Sequence, residues 1–204
     1  MRTCVFTLGA VLIGMSGAAI ADDHGFYGDV GAGVASYPVD MNGQLNGVPY
    51  KHDGHTNDFT YSFAAGYRFN RYIGVELGFV DFGNPYVNLE DPSDPKKSVG
   101  RARLSAQGKS LAVLTHVPMG AWDSFFRVGV LQATFGTRHY IRQGTSGFDY
   151  FASEERPSLF LGVGSRYALA EQWALSLSVD YYNRVGQQDW ANLISPRVGV
   201  SYRF

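Results

Sequence analysis

Side chains able to do acid–base or nucleophilic chemistry are scattered along this 204-residue chain. A general base must lie within hydrogen-bond reach of its nucleophile. None of the five histidines is followed two positions later by a serine, and the single Asp-Ser dipeptide is Asp123-Ser124. The sequence therefore indicates no catalytic set. The histidines are His24, His52, His55, His116 and His139.

Two short motifs could instead bind a metal ion or a nucleotide. Residues 52–55 read His-Asp-Gly-His, but no second pair of ligands is evident, and we interpret them as a solvated loop. Gly28, Gly31 and Gly33 resemble a nucleotide-binding run, yet they lack the helix and the following acidic residue that such a motif needs. We expect no catalytic residue, no cofactor and no metal.

The beginning of the chain is typical of an export signal. Arg2 supplies the positive charge, an apolar stretch runs from Cys4 to Gly14, and Ala19-Ile20-Ala21 fits the small-x-small cleavage rule. The apolar stretch is shorter than the roughly 20 residues that a membrane-spanning helix needs. We predict a signal peptide over residues 1–21 and a mature domain over 22–204.

Removal of that signal changes the chemistry available to the mature chain. Loss of Arg2 takes the formal charge from −1 to −2, and loss of Cys4 removes the only cysteine. The mature chain can therefore form no disulfide and no cysteine-ligated zinc site. Its weak net charge gives no argument for nucleic-acid binding.

The middle of the chain alternates apolar and small or polar residues with period 2, which predicts strands rather than helices. We expect eight strands, an even number as in bacterial outer-membrane barrels, each near the roughly 9–11 residues that a tilted strand needs to cross a bilayer. They cover residues 26–36, 59–69, 73–82, 109–117, 125–136, 158–169, 173–185 and 194–204.

The connections between these segments are alternately short and long. The short ones, at 70–72, 118–124 and 170–172, suit the periplasmic side, and the longer ones suit the extracellular side. The fold class predicted is all-β: an eight-stranded antiparallel up-and-down transmembrane β-barrel in the cell outer membrane. The longer connections are 38–57, 84–107 and 137–156, with a briefer one at 186–193.

Charge decides which face of each strand meets lipid. One face is aliphatic and aromatic with almost no charge, while the other holds most glycines and a few mixed charges. A soluble ligand-binding barrel would instead carry many Lys and Glu residues on its outer face. The parity of strand 109–117 stays unassigned because both of its faces are apolar. The expected lumenal charge cluster is Asp29, Arg68, Glu76, Arg127, Arg166, Asp180, Arg197 and Arg203.

Two finer expectations concern the lumen and the aromatic residues. Glu76 and Arg68 are the best candidate ion pair, and Glu76 and Asp180 should be shared among several arginines. Aromatic residues near strand ends should form two interfacial girdles. The periplasmic girdle comprises Tyr67, Phe69, Tyr72, Trp122, Phe125, Trp173, Tyr202 and Phe204, and the outer one Tyr37, Phe59, Tyr61, Phe82 and Tyr181.

Two segments resemble a known family. Residues 66–79 (GYRFNRYIGVELGF) look like the second hairpin of the OmpA-like transmembrane domain family, and residues 26–33 resemble its first strand. The resemblance covers 22–204 and implies an outer-membrane barrel whose final strand is read by the assembly machinery through Val200, Tyr202 and Phe204. Full-length OmpA relatives carry a further domain that grips peptidoglycan. This chain stops at Phe204, so the sequence does not predict that anchor.

The function expected from these features is a structural or surface-interaction role. The predicted barrel has long extracellular loops and a narrow, charge-filled lumen, because eight strands enclose little more than side chains. Its expected partners are outer-membrane lipids and lipopolysaccharide, the assembly machinery and a surface ligand for the loops, and we expect a monomer. A minor water or ion channel is the alternative, followed by a lipid A-modifying enzyme.

One long loop has mixed charge. Lys96, Lys97, Arg101 and Arg103 face Glu90, Asp91 and Asp94 within it. We interpret this stretch as an exposed loop whose charges compensate each other, with contact to lipopolysaccharide phosphates as the sharper alternative.

Overall fold

The computed structural model describes residues 24–45, 47–143, 146–185 and 192–204, nearly all of them in β-strands. The signal peptide predicted over residues 1–21 lies outside the described residues. Within the described ranges, no helix is long and apolar enough to cross a bilayer.

Nine antiparallel strands are present in these ranges. Eight correspond to the predicted ones, and a short β4 is additional. In chain order they are β1 Gly25–Leu45, β2 Val48–Arg68, β3 Ile73–Asp81, β4 Tyr86–Asp91, β5 Asp94–Met119, β6 Trp122–Gln143, β7 Ser146–Ala168, β8 Trp173–Tyr182 and β9 Leu193–Arg203.

Eight of the strands close into a ring. β1 pairs with β2 on one side and with β9 on the other, and the remaining strands follow in the order β9, β8, β7, β6, β5, β3, β2. β4 continues the barrel wall beyond the end of β3, because it pairs with β5 on one side and with β2 on the other, through Glu90 and Lys51. The predicted eight-stranded antiparallel barrel is confirmed, and its closure leaves no free edge within the ring.

The prediction of long loops is wrong for most of their residues, which are in β-strands. β1 continues to Leu45, β6 continues to Gln143, and β4 lies inside the segment expected to be a loop at 84–107. Gly, Asn and Asp in these segments are typical of turns, and the outward face there loses its apolar character. Strands already held in register by the barrel nevertheless continue to pair beyond the bilayer.

The outward face of the barrel wall carries the predicted apolar band. Phe63, Leu77, Val128, Leu161 and Val198 are all well exposed in the isolated chain, where lipid would cover them. The fourth barrel strand, β5, now has a parity: Leu111 and Val113 face outward, whereas Ala112, Leu114 and His116 are buried inward.

The girdle prediction is wrong for three aromatic residues. Phe125, Tyr37 and Phe82 are buried inside the barrel. The end with the short connections is the one expected to face the periplasm, and we call it the periplasmic end. Aromatic rings from neighbouring strands meet there: Trp173 and Tyr202 edge on with centroids 4.7 Å apart, and Trp122 and Tyr167 in a tilted arrangement at 4.8 Å. Such amphipathic rings suit the level of the lipid head groups.

The periplasmic connections are tight for local reasons. Asn70 Oδ1 accepts hydrogen bonds from the backbone N–H groups of Tyr72 and Ile73, at 2.8 and 3.0 Å. Gly120 adopts a left-handed backbone with φ of 63° in the two-residue turn between β5 and β6, a conformation that costs glycine little.

The outward parity of β6 leads to a comparison of two arginine substitutions. Val128→Arg should lower the unfolding free energy in lipid vesicles by about 2–4 kcal/mol, because the new charge enters the middle of the apolar band. Gln132→Arg places the same charge four residues further along the outward face of β6, just beyond the apolar band. It should cost about 0–1 kcal/mol. Denaturant titrations of both variants measure the difference. Equal losses would mean that the outward face of β6 has been misassigned.

Candidate functional site

The inside of the barrel is the best-defined cluster of chemically capable groups in the described part of the chain. Six ionised side chains, one from each of six strands, meet across the lumen and form what we call the charged layer. Three carboxylates face three guanidinium groups, so the formal charges cancel. Its members are Asp29, Glu76, Arg127, Arg166, Asp180 and Arg197.

Glu76 is the centre of one half of the charged layer. Its carboxylate accepts a hydrogen bond from the hydroxyl of Tyr27 at 3.0 Å and another from Arg127 Nη1 at 2.9 Å. Arg166 Nη2 lies 3.6 Å from the same carboxylate, and Arg166 Nε lies 3.9 Å from Asp29 Oδ2. Glu76 is therefore shared between two arginines.

Asp180 is the centre of the other half. Arg127 Nε lies 2.9 Å from Asp180 Oδ1, and Arg197 donates a hydrogen bond to Asp180 Oδ2. The side chain of Asp180 is fully buried, so these two guanidinium groups replace its hydration. Arg127 bridges both halves, because it contacts Glu76 and Asp180 at once.

Small residues make room for these long side chains, and aromatic rings pack against them. A Cβ atom at Gly162 would overlap the carboxylate of Asp180 and the side chain of Arg127, and one at Gly66 would overlap the ring of Tyr27. The Arg166 guanidinium lies 4.6 Å from the ring centre of Tyr27. Inward glycines thus provide space for the charged layer, and aromatic faces supply a second favourable contact for its cations.

A smaller ionic group lies toward the periplasmic end. Asp123 Oδ2 accepts a hydrogen bond from Arg68 Nη2 and lies 3.1 Å from His116 Nδ1. The expected Arg68–Glu76 pair is therefore wrong. Strand register explains the difference, because Glu76 is opposite Gly66 while Arg68 is opposite Gly74, nearer the strand ends.

Sequence reasoning missed both Asp123 and His116. Asp123 was assigned to a periplasmic turn, yet it lies two residues before Phe125 on the inward face of β6. The two-residue alternation, counted back from Arg127 through Phe125, places Asp123 on the inward face. His116 lies on β5, whose two apolar faces hid its parity.

Arg203 does not join the charged layer. It is exposed at the end of β9 and borders the periplasmic mouth, a cavity of about 540 Å³ that Arg68, Asp123, Arg166 and Glu171 also line. This mouth opens toward the periplasm and narrows at the charged layer.

The extracellular half of the lumen is mostly apolar, with a few buried hydroxyl groups such as those of Thr60 and Ser158, whereas we expected a charge-filled lumen. Large side chains from several strands meet there and form what we call the apolar layer. Phe82 and Tyr182 pack with ring centres 4.9 Å apart, Phe160 and Tyr182 with 5.2 Å, and the Tyr37 hydroxyl donates to the carbonyl of Phe82 at 2.7 Å. Other buried members are Leu89, Leu104, Leu131, Val185 and Leu193.

Little space remains inside the charged layer itself. The cavity there is about 20 Å³, enough for about one water molecule. Hydroxyl groups of Ser62, Ser110, Ser176 and Ser178 line it with the ion pairs. The charged layer therefore has room for about one water molecule, and the packed rings of Phe82, Phe160 and Tyr182 lie beyond it.

Of residues 52–55, the segment considered for a metal site, only His52 has a side chain in the described part of the chain. No three His, Cys, Asp or Glu side chains lie close enough there to hold an ion. His52 Nδ1 lies 3.0 Å from the carbonyl oxygen of Asn88, to which it would donate, and the side chains of residues 53–55 lie outside the described residues.

The residues of the predicted assembly signal lie at the end of β9. Val200 faces outward, Tyr202 packs between Trp173 and Phe204, and the N–H of Phe204 donates to the carbonyl of Phe26 at 3.0 Å. Phe204 is the most exposed of the large apolar side chains described, at 71%. These three residues occupy the seam where the ring closes.

Comparisons with known proteins agree with this architecture. A family model described as OmpA-like transmembrane domain matches residues 20–204. Outer membrane protein P5 of Haemophilus influenzae is 27% identical over 216 residues, covering 95% of this chain and 58% of that protein. Outer membrane protein A of Serratia marcescens is 30% identical over 192 residues, covering 89% of this chain and 45% of that protein.

A solved structure shares the fold at lower identity. The outer membrane protein OprG of Pseudomonas aeruginosa superposes with a TM-score of 0.55 at 18% identity, over 91% of this chain and 99% of that one. The chain thus spans about half the length of the curated relatives it matches, and nearly the whole of a solved barrel.

The burial of Asp180 leads to a stability prediction with an internal control. Asp180→Asn should lower the unfolding free energy by about 3–5 kcal/mol, since it leaves Arg127 and Arg197 short of a buried counter-charge. Glu154→Gln breaks an exposed pair with Arg156, 2.5 Å long, and should cost less than about 1 kcal/mol. Denaturant unfolding of both variants in the same vesicles tests this, and similar losses would contradict it.

Proposed function

The chain belongs to the OmpA-like transmembrane domain family, and from that premise we propose that this outer-membrane barrel presents a rigid extracellular surface and neither conducts nor catalyses. The observation that carries the proposal is the two-layered lumen. Charge fills its middle and apolar side chains fill its extracellular half.

The apolar layer argues against the channel alternative. An ion crossing it would lose its hydration and meet no charged replacement, only hydroxyl groups such as those of Thr60 and Ser158 that already donate to backbone carbonyls, and such desolvation is costly. The periplasmic mouth and the water-sized pocket in the charged layer favour limited hydration from one side only. Conduction would require Phe82, Phe160 and Tyr182 to separate as well as the ion pairs to rearrange.

The extended strands support a role at the cell surface. β1 and β2 each run for 21 residues, whereas about 9–11 residues suffice to cross the bilayer. About ten residues per strand, roughly 33 Å at 3.3 Å per residue, therefore continue beyond the membrane. Apolar side chains such as Leu89 and Leu104 pack inside this extension, so it presents a shaped surface.

The lipid A-modifying enzyme remains the least supported alternative. His116 and Asp123 form the one acid–base pair that the lumen brings together in the described residues. Within those residues, His116 Nε2 has no hydrogen-bond partner, so no hydroxyl is held there as a nucleophile. The pair also lies toward the periplasmic end of the lumen.

The last strand and the outward apolar face support two further proposed partners, the assembly machinery and lipid. We propose that the assembly machinery recognises Val200, Tyr202 and Phe204 at the closing seam, and that the apolar band contacts outer-membrane lipid. The barrel closes by itself, since β1 pairs with β9 of the same chain, which supports a monomer.

Conductance in planar bilayers tests whether the lumen is closed. The refolded parent protein should show no stepwise currents, whereas the double variant Phe82→Ser with Tyr182→Ser should conduct, because it replaces two rings of the apolar layer by small hydroxyl groups. Phe59→Ser with Tyr181→Ser changes the same residue types on the outward face and should stay silent. Gel mobility before and after heating confirms that each variant is folded, and regular currents from the parent would overturn the closed lumen.

Surface labelling tests the orientation on which the surface role depends. An epitope inserted after Gly47, between β1 and β2, should bind antibody on intact cells. The same epitope inserted after Gly120, between β5 and β6, should bind only after the outer membrane is permeabilised. Both positions are left-handed glycines in turns, so the two insertions are matched, and the reverse pattern would invert the barrel.

A further inference from the structure

The extracellular extension of the barrel is an open sheet, because two of its strands are short. β8 and β9 have 10 and 11 residues, whereas β1 and β7 have 21 and 23. Within the described residues, β1 pairs with β9 no further than Ser36, and β7 pairs with β8 no further than Phe160. Above β8 and β9, residues 38–45 of β1 and 146–157 of β7 therefore border a space that we call the gap.

Proline stands where the pairing of β7 with β8 stops. The N–H of Asn183 donates to the carbonyl of Leu159 at 2.9 Å. In an antiparallel strand every second residue directs its backbone groups to the same side, so Pro157 is the next residue to face β8. Because proline has no N–H to donate, it cannot continue the ladder of hydrogen bonds.

A second proline ends the pairing of β1 with β9 in the same way. The N–H of Phe204 donates to the carbonyl of Phe26 at 3.0 Å, so the even-numbered residues of β1 face β9. The first of them beyond Ser36 is Pro38. Proline is tolerated at such a sheet edge, and both borders of the gap thus begin at a proline.

Beyond Pro157, the border formed by β7 is a regular strand edge. Its register with β6 is unbroken from Trp122 opposite Tyr167 to Gln143 opposite Ser146, so no bulge interrupts the alternation. In the described part of the chain, no second strand pairs with residues 147–155 on the side of the gap. We call these residues the β7 edge. The backbone groups that face the gap belong to Gly147, Asp149, Phe151, Ser153 and Glu155.

The β7 edge lies above the hydrocarbon region. Leu159, 62% exposed, is the last outward aliphatic side chain of β7 in that direction, and Glu155 and Ser153 follow on the same face. Inside the bilayer an unpaired edge would lack any hydrogen-bond partner. Above it, water can occupy the edge until another strand replaces the water.

The gap has room for extended chain and not for a second barrel. Lower in the wall, β8 and β9 lie between β7 and β1, so the two borders are three interstrand spacings apart, about 14 Å. About two added strands fit in that width. A second copy standing in the same membrane would bring its own wall against β8 and β9 before any of its strands reached the β7 edge.

Side chains beside the β7 edge favour a basic outward face on an added strand. Glu155 is exposed on the outward face. On the inward face, Glu154 already pairs with Arg156, and Ala152 is a small apolar neighbour. The Glu154 and Arg156 side chains are 30% and 51% exposed although they point inward, as expected where the neighbouring wall is missing. Apolar residues of an added strand would face inward and basic ones outward.

We propose that the β7 edge binds an extended, basic segment of another polypeptide, which joins the sheet as a further antiparallel strand. The inference rests on the proposed surface role and names a class of partner for it. Backbone hydrogen bonds supply affinity in this mode of recognition, and alternate side chains supply specificity. The segment would occupy the place next to β7 that β8 occupies lower in the wall.

Defined peptides test the proposal with the refolded barrel in lipid nanodiscs. The probe is a peptide of about eight residues, blocked at both ends, that alternates lysine and valine. If the lysines face outward beside Glu155, their own N–H groups point at the β7 edge. N-methylation of the lysine amides should therefore weaken binding at least tenfold. N-methylation of the valine amides keeps the same composition and should leave the affinity, measured by fluorescence anisotropy, within threefold.

Substitutions in the barrel test which edge is used. Ser153→Pro removes one N–H from the β7 edge without breaking a bond to β6, and it should lower the affinity for the unmethylated peptide at least tenfold. Asn42→Pro makes the matched change on the border formed by β1 and should leave the affinity within twofold. Gel mobility before and after heating confirms that each variant is folded. In the parent, hydrogen exchange at Phe151 and Ser153 should slow when the peptide binds.

Several results would overturn the assignment. Equal affinity for the two methylated peptides would mean that side-chain charge alone attracts the probe. Loss of binding in Asn42→Pro with none in Ser153→Pro would move the added strand to β1. Failure of the parent to bind the unmethylated peptide would refute strand addition. None of these results would alter the conductance or surface-labelling outcomes, which test the proposed function separately.

Discussion

Backbone hydrogen bonds between β1 and β9 join the two edges of the sheet, and the bilayer makes this closure obligatory. Lipid offers no partner for an unpaired N–H or C=O group, so a strand edge cannot remain open within it. The seam runs from Tyr27 opposite Arg203 to Ser36 opposite Ile194. Once it forms, each strand has one face toward lipid and one toward a narrow lumen, and the chemistry of every other residue follows from that division.

The narrow lumen explains why its charges form a neutral cluster. Burying an ion is costly unless opposite charges and hydrogen bonds replace its water, and eight strands leave little room for water. Arg127 meets this requirement by contacting both Glu76 and Asp180. Toward the extracellular side, rings and aliphatic side chains fill the barrel instead, which supports the proposal that the lumen is closed.

Along the outer wall, the same strands pass from lipid to a hydrated surface, and their outward residues change accordingly. On β5 the sequence of outward side chains runs from Val113 and Leu111 to Lys109, then through Gln107 and Ser105 to Arg103. The change from apolar to polar to cationic marks the level at which the strand leaves the hydrocarbon region. A single strand therefore both anchors the barrel in lipid and forms part of its extracellular extension.

Local alternation by itself determined the strand number, the parity of most strands and the residue types on each face, since period 2 is a property of neighbours in the chain. Leu177 outward and Asp180 inward are examples of what the sequence predicted correctly. Only the tertiary structure decided that Arg68 meets Asp123 rather than Glu76, that Phe125, Tyr37 and Phe82 turn inward, and that predicted loops continue as strands. Those outcomes depend on strand stagger, on the reach of long side chains across a closed lumen and on register inherited from the ring, none of which is encoded in the spacing of adjacent residues.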